Sequence, residues 1–220
     1  MHYTVKNLSD LQLEISKKIS ELNIKNYSPN IIAVSKTFPI EKIKPIIDYG
    51  HIHFGENKVQ EATDKWTQIK ENNQKIKLHM IGKLQTNKVK LAVKLFDFIH
   101  SVDSIRLANK ISIEQTKINK NLQIFLQINI GDEDQKSGVK INDVLELYTE
   151  CLNLKLDVIG LMCLPPINSP SEILFNKIKQ KNDELKLNSL SLGMSGDYLE
   201  ALKVKSDFIR IGTKIFGQRN

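Results

Sequence analysis

Residues 31–54 read IIAVSKTFPIEKIKPIIDYGHIHF. Ile31 to Val34 is an apolar run of strand length, Pro39 is placed to open a helix, Gly50 to end it, and His51 to Phe54 reads as a second strand. Strand, helix, strand is the unit of a parallel sheet, because parallel neighbours need a long crossover between them. The unit recurs outward from this stretch. Upstream, residues 5–24 read as a leading helix, with Leu8, Leu11, Ile15, Ile19 and Leu22 on one stripe. Downstream, strands are expected at 78–81, 98–102, 122–130, 156–162, 190–194 and 208–211. Helices are expected at 57–70, through Val89, Leu91, Ala92 and Leu95, and at 104–118, 141–153, 171–186 and 197–204. Eight strands alternating with helices predict the α/β class: a single (β/α)8 TIM-type barrel with an extra N-terminal helix, one domain over residues 1–220. Periodicity does not show closure, so an open doubly wound sheet is the alternative.

The bulk composition narrows the function classes. Of 220 residues, 40% are hydrophobic, enough for a substantial core. No apolar run reaches the roughly 18 residues of a membrane span, and residues 1–25 lack the apolar centre of a signal peptide. A cytoplasmic protein without a membrane partner is expected. Cys151 and Cys163 have no metal-ligand spacing and read as buried free thiols. The net charge of +7 raises nucleic acid as a partner, but the lysines are spread over nearly every helix, and arginine occurs only at 106, 210 and 219. No nucleic-acid surface is expected.

In a barrel, chemistry belongs to the C-terminal ends of the strands. Lys36 follows IIAVS directly, and a lysine at a barrel mouth can present a nucleophilic amine able to form a Schiff base. Most lysines in so lysine-rich a chain are solvated surface charges, and Lys83 also follows a strand. Gly212 and Thr213 close the last strand, and Ser195 follows the seventh. Small residues and hydroxyls at those two adjacent ends suit a phosphate, although each turn alone reads as ordinary. Arg210 shares a strand face with Gly212 and would place its guanidinium near that phosphate. His51, His53 and His100 read as hydrogen-bonding groups rather than metal ligands, and no metal is expected. Glu56 and Glu61 read as helix-start charges. Asp132, Glu133 and Asp134 read as a solvated acidic loop, with a cation site as the alternative.

Several segments resemble the pyridoxal phosphate homeostasis protein family, also described as PLP-binding barrel proteins. They are AVSKTFP (33–39), HFGENKVQE (53–61), LHMIGKLQTNK (78–88), HSVDS (100–104), LQINIGDEDQKSG (126–138), GLMCLPP (160–166), LSLGMSGDYLEA (190–201) and IRIGTKIFGQR (209–219). They run in order over nearly the whole chain, and the HxIGxLQxNK segment and the RIGTxIFGxR ending are the most distinctive. The resemblance implies a fold like the barrel domain of bacterial alanine racemase, with pyridoxal 5′-phosphate (PLP) as cofactor. By resemblance, Lys36 is the Schiff-base lysine, Ser195, Gly212 and Thr213 bind the phosphate, and Arg210 faces the pyridine nitrogen. Asn57 and His79 match further pocket positions. The sequence departs from the family at Met80, where an aromatic residue is common, and at Phe38, where a second lysine is common.

The resemblance favours a protein that buffers or carries PLP in the cell over a racemase-like enzyme. Racemase chemistry needs bases on both faces of the cofactor, and in the alanine racemase fold a tyrosine from a second domain supplies one. The chain ends at Asn220 soon after the last strand, so that domain is expected to be absent, and none of its five tyrosines falls at a predicted strand end. An arginine at the pyridine nitrogen does not readily give up its proton, which leaves the ring a weak electron sink. No catalytic residue is assigned. The implied partners are PLP and apo PLP-dependent enzymes, and a monomer is expected. A phosphate-binding barrel without PLP is a further alternative. Lys136, in the loop after the fifth strand, is expected near the mouth, as an aid to PLP entry or release or as a lysine paired with Asp132 or Asp134.

Overall fold

The structure is a computed structural model. It describes residues 1–131, 133, 135–166 and 169–218. The chain starts with α1 (Tyr3–Glu21), whose buried stripe of Val5, Leu8, Leu11 and Ile15 packs on the outside of the barrel, and whose Thr4 amide donates to the His2 ring. Then follow β1 (Asn30–Val34), α2 (Ile40–Asp48), β2 (His53–Glu56), α3 (Val59–Asn72), β3 (Lys77–Met80), α4 (Val89–Leu95) after a short 3-10 turn, β4 (Phe98–Val102) and α5 (Ile105–Lys117). The second half runs β5 (Gln123–Ile128), α6 (Val144–Asn153), β6 (Asp157–Cys163), α7 (Ser171–Glu184), β7 (Ser189–Met194), α8 (Tyr198–Lys203), β8 (Phe208–Ile211) and α9 (Thr213–Phe216).

The eight strands form a closed parallel barrel in sequence order. Closure is made by β1 against β8, from Asn30 opposite Phe208 to Ala33 opposite Ile211. The open-sheet alternative is thereby excluded. Because side chains alternate across a strand, one set faces the helices and the other fills the barrel. The outer set, with Phe54, Trp66, Leu78, Phe96, Ile124 and Phe175, makes the large core between sheet and helices. Inside, Ile32, Phe98, Phe125, Met162 and Phe208 form a smaller apolar plug. Phe208 lies near its centre, with ring centroids 5.4 Å from His79, 5.4 Å from Phe98 and 5.7 Å from Phe125.

The second strand lies further along the chain than the sequence suggests. Gly50 takes φ +98°, and the His51 amide closes the end of α2 on the Ile46 carbonyl. His51 and Ile52 are then the connection, and β2 begins at His53. Glu56 is therefore the last residue of a strand and fully buried, not a helix-start charge; Glu61, in the first turn of α3, is one. The register of β7 against β8 shifts between Ser191 and Met194, around Gly193 at φ +89°. A Cβ at Gly193 would lie 2.7 Å from that of Ala201, so the kink that turns Met194 and Ser195 toward the mouth depends on glycine. Cys151 and Cys163 are buried free thiols, as expected, each pushed up to about 12 by burial.

Candidate binding site at the barrel mouth

A cavity of about 380 Å³ opens at the C-terminal ends of the strands. Lys36, Asn57, Ser195, Arg210, Gly212 and Thr213 all line it, with Val34, Ile81, Leu164 and Met194 as its apolar walls. His79 does not line it; that ring is fully buried inside the barrel. Lys83 faces a neighbouring cavity together with Lys58 and Lys88. Gly82 is shared by both cavities, and a Cβ there would come within 2.5 Å of the Asn57 carbonyl oxygen, so only glycine lets the β3 end approach Asn57 this closely.

Lys36 is presented by a turn that is gripped from behind. The buried Ser35 hydroxyl donates to Glu56 Oε1 at 2.8 Å. Thr37 follows with φ +67°, a left-handed conformation costly for a β-branched residue. It is held there by its amide, which donates to Glu61 Oε1 at 2.6 Å. Lys65 Nζ joins the parts, donating to the Ser35 carbonyl, Glu56 Oε1 and Glu61 Oε1, each at 3.0 Å. Trp66 Nε1 adds a fourth tie, 2.9 Å from Glu56 Oε1. Burial pushes the Glu61 carboxyl up, but the Thr37 amide and Lys65 outweigh it and hold the group below its ordinary value. Sequence reasoning missed Lys65 and the role of Glu56. The spacing of Glu61 and Lys65 shows only a helical ion pair, and the link to Ser35 exists only in three dimensions.

Arg210 is buried in β8 with its guanidinium at the cavity. Nη1 donates to the carbonyl and, at 2.7 Å, to the hydroxyl of Ser191, and Nη2 donates to the Cys163 carbonyl at 2.9 Å. Of its five N–H donors, those bonds leave one on Nη2 and the one on Nε for a ligand. Burial lowers the guanidinium to about 10, which keeps it charged at neutral pH.

Behind Arg210 the barrel holds a line of polar side chains. Ser191 Oγ is 2.8 Å from His100 Nδ1, His100 Nε2 is 2.9 Å from His79 Nδ1, and His79 Nε2 is 3.0 Å from His53 Nδ1. Burial, reinforced by Arg210 for His100 and by neighbouring histidines for His79, holds both rings well below the ordinary value of 6.5. His53, half-buried at the start of β2, is lowered to about 4, again chiefly by burial. All three are neutral imidazoles at pH 7. His51 Nε2 donates to the His53 carbonyl at 2.9 Å. These histidines are hydrogen-bonding groups, as the sequence suggests.

The remaining wall of the cavity comes from the loops after β7 and β8. Asp197 accepts the Met194 amide at 2.6 Å and the Ser171 hydroxyl at 3.3 Å, which fixes the loop carrying Ser195. Gly212 follows β8 and caps α9, which starts at Thr213, so the amides there have no carbonyl one turn earlier to bond. Asn57 Oδ1 is buried with no hydrogen-bond partner among the described residues. An orphaned acceptor of that kind is costly unless a ligand donor meets it. Asp132 and Asp134 lie outside the described residues. Lys136 pairs with Glu133 at 2.7 Å and reaches the Pro165 carbonyl at 3.4 Å. Phe38, at the position where the family often has lysine, is buried and stacked on Phe216 with centroids 5.0 Å apart.

Comparison with known proteins gives this geometry its context. The family described as alanine racemase, N-terminal domain, matches residues 16–220. The pyridoxal phosphate homeostasis protein of Pasteurella multocida is 34% identical over 97% of both chains. That of Escherichia coli K12 is 34% identical over 97% of this chain and 96% of its own. PipY of Synechococcus elongatus, in its structure with PLP bound, superposes with a TM-score of 0.79 at 30% identity, covering 92% of this chain and all of PipY. Alanine racemase of Clostridium difficile shares the fold, with a TM-score of 0.69 at 15% identity, and the chain spans 57% of its length. The chain belongs to the pyridoxal phosphate homeostasis protein family, built on the barrel of the alanine racemase N-terminal domain family.

Proposed function

We propose that this protein binds PLP in the mouth cavity, through a Schiff base on Lys36, and buffers or carries the cofactor rather than catalysing with it. The observation that carries this reading is the convergence of Lys36, Arg210, Ser195, Gly212 and Thr213, from three different strand ends, on one cavity of about 380 Å³. That volume lies in the ordinary range for a small-ligand site. The residues fit the group chemically. Lys36 offers an amine for an aldehyde, with loss of water. Arg210 offers spare N–H donors for a pyridine nitrogen. Ser195, Thr213 and the amides near Gly212 offer donors for a phosphate, and Asn57 Oδ1 offers an acceptor for a hydroxyl.

When bound, PLP supplies a carbonyl for amine capture and a ring able to accept electrons. The protein's own groups favour the first use. A charged arginine is a poor proton source for the ring nitrogen, so it orients the ring without activating it. Among the described residues that line it, only Lys36 and Arg210 are ionisable, none is a tyrosine, and none offers a second base across the cavity from Lys36. This favours the carrier over the alternative, a PLP-dependent racemase-like enzyme. A monomer that hands PLP to apo PLP-dependent enzymes is part of the same proposal.

Purified protein incubated with PLP should gain a visible absorbance band, and borohydride should fix a pyridoxyl group on Lys36. Lys36→Ala should abolish both, and amino-acid racemisation should be absent with or without PLP. Label on another lysine, or racemisation that requires Lys36, would overturn the reading.

A further inference from the structure

The three barrel histidines are connected head to tail. In each link the Nδ1 of the ring nearer the N-terminal end faces the Nε2 of the next, and the last Nδ1 faces Ser191 Oγ. A neutral imidazole has one N–H and one lone pair, so such a row has only two self-consistent states: every proton on Nε2, or every proton on Nδ1. Any mixture sets two protons or two lone pairs against each other at about 3 Å, which is costly in a buried site. Arg210 breaks the tie. Its Nη1 donates to Ser191 Oγ, so the hydroxyl proton is free to point at His100 Nδ1. That forces the proton of His100 onto Nε2, then likewise those of His79 and His53. In this state every lone pair points toward the guanidinium and each bond polarises the next. In the reverse state the Ser191 hydroxyl would accept twice and its own proton would have no acceptor among the described residues.

The geometry points to a directional hydrogen-bond chain, Arg210 to Ser191 to His100 to His79 to His53, in which Ser191, His100, His79 and His53 are positioning residues for Arg210. The chain runs the length of the barrel. Its inner end is the guanidinium at the mouth cavity, and its outer end, His53, lines a second cavity of about 550 Å³ among Gln12, Tyr27, Asn30 and His51, at the opposite face. Its surroundings suit neutral rings. Phe98 stacks on His79 and Phe125 on His100, with centroids 4.2 and 4.4 Å apart. The charged groups near His53 are Lys77 and Asp97, on opposite sides of the balance; Lys70 faces His79, and Arg210 faces His100. The fixed proton order holds Nη1 on Ser191 and thereby aims the spare Nη2 and Nε donors at the cavity. The consequence for PLP rests on the function proposed above; the order of the protons does not.

The test has two arms. Long-range proton–nitrogen NMR on the ¹⁵N-histidine-labelled protein without PLP reads the tautomer of each ring directly. His53, His79 and His100 should all be neutral with the proton on Nε2 at pH 7. In Ser191→Ala, which removes the hydroxyl between Arg210 and His100, both proton orders of the row should be populated. A ring protonated on Nδ1 in the unmutated protein, an imidazolium at pH 7, or an unchanged tautomer pattern in Ser191→Ala would overturn the chain. In the second arm Ser191→Ala should bind PLP about 10-fold more weakly than the unmutated protein, the loss of roughly one charge-assisted hydrogen bond. It should also shift the visible absorbance of the bound cofactor. Equal affinity and spectrum would overturn the positioning role. If the unmutated protein itself fails to bind PLP, the cofactor reading falls, and the NMR arm still decides the chain.

Discussion

Thr37 holds φ +67° at an exposed position, fixed by the bond from its amide to Glu61. Asparagine tolerates that region far better than a β-branched residue. Thr37→Asn should therefore raise the unfolding free energy by ~1 kcal/mol in urea titration; a loss of similar size would mean that the threonine side chain matters more than the strain. Glu56 and Lys65 behind it are a nearly dry pair, with side chains 0% and 10% exposed. Lys65→Met should cost ~3–5 kcal/mol, because it leaves a carboxylate buried without its cation. Adding Glu56→Gln should recover part of that loss, and strictly additive losses in the double-mutant cycle would show that the two do not act as a pair. At this scale the sequence was half legible. Lys36 stands out as a lysine directly after an apolar run, whereas its supports come from β2 and α3 and become neighbours only when β1 and β2 pair through Ala33 and Phe54.

At the scale of elements, strands β4 and β8 fall where their apolar runs place them, because buried parallel strands are written as continuous hydrophobic segments. β2 was less legible. Its sequence HIHFGE carries two histidines and a glycine, and which of them are paired depends on where the Gly50 turn releases the chain. The kink at Gly193 was not legible at all, since a bulge is a relation between two strands. The same kink shapes half of the proposed phosphate cup, Ser195 after β7, while Gly212 and Thr213 after β8 make the other half. Hydrogen bonds from such groups to a phosphate are worth ~1.5–3 kcal/mol each. Ser195→Ala and Thr213→Ala should thus weaken PLP binding by roughly ten- to a hundredfold each in equilibrium titration. Pyridoxal, which lacks the phosphate, should lose far less; equal losses for both ligands would move the phosphate elsewhere.

For the whole molecule, the barrel interior sets the response to acid. His79 and His100 are held well below 6.5 and His53 at about 4, whereas in the unfolded chain all three titrate near 6.5. Between those values the unfolded state binds more protons, so stability is fully present above pH 6.5 and is lost as pH falls toward 4. Each fully buried ring can contribute up to ~1.4 kcal/mol per pH unit across that window. Denaturant midpoints at pH 7.5, 6 and 5 should fall in that order, and a flat profile would mean that the rings are solvated or charged in the native state. Closure itself was illegible, because nothing in the local pattern says that the first strand meets the last. That meeting has a consequence for biosynthesis. Lys36 stands at the end of β1 and Arg210 lies within β8, and β1 has no second neighbour until β8 leaves the ribosome. Translation must therefore pass β8 before the two halves of the site coexist. A nascent chain halted short of residue 208 carries an exposed, apolar strand edge, a surface that molecular chaperones would recognise.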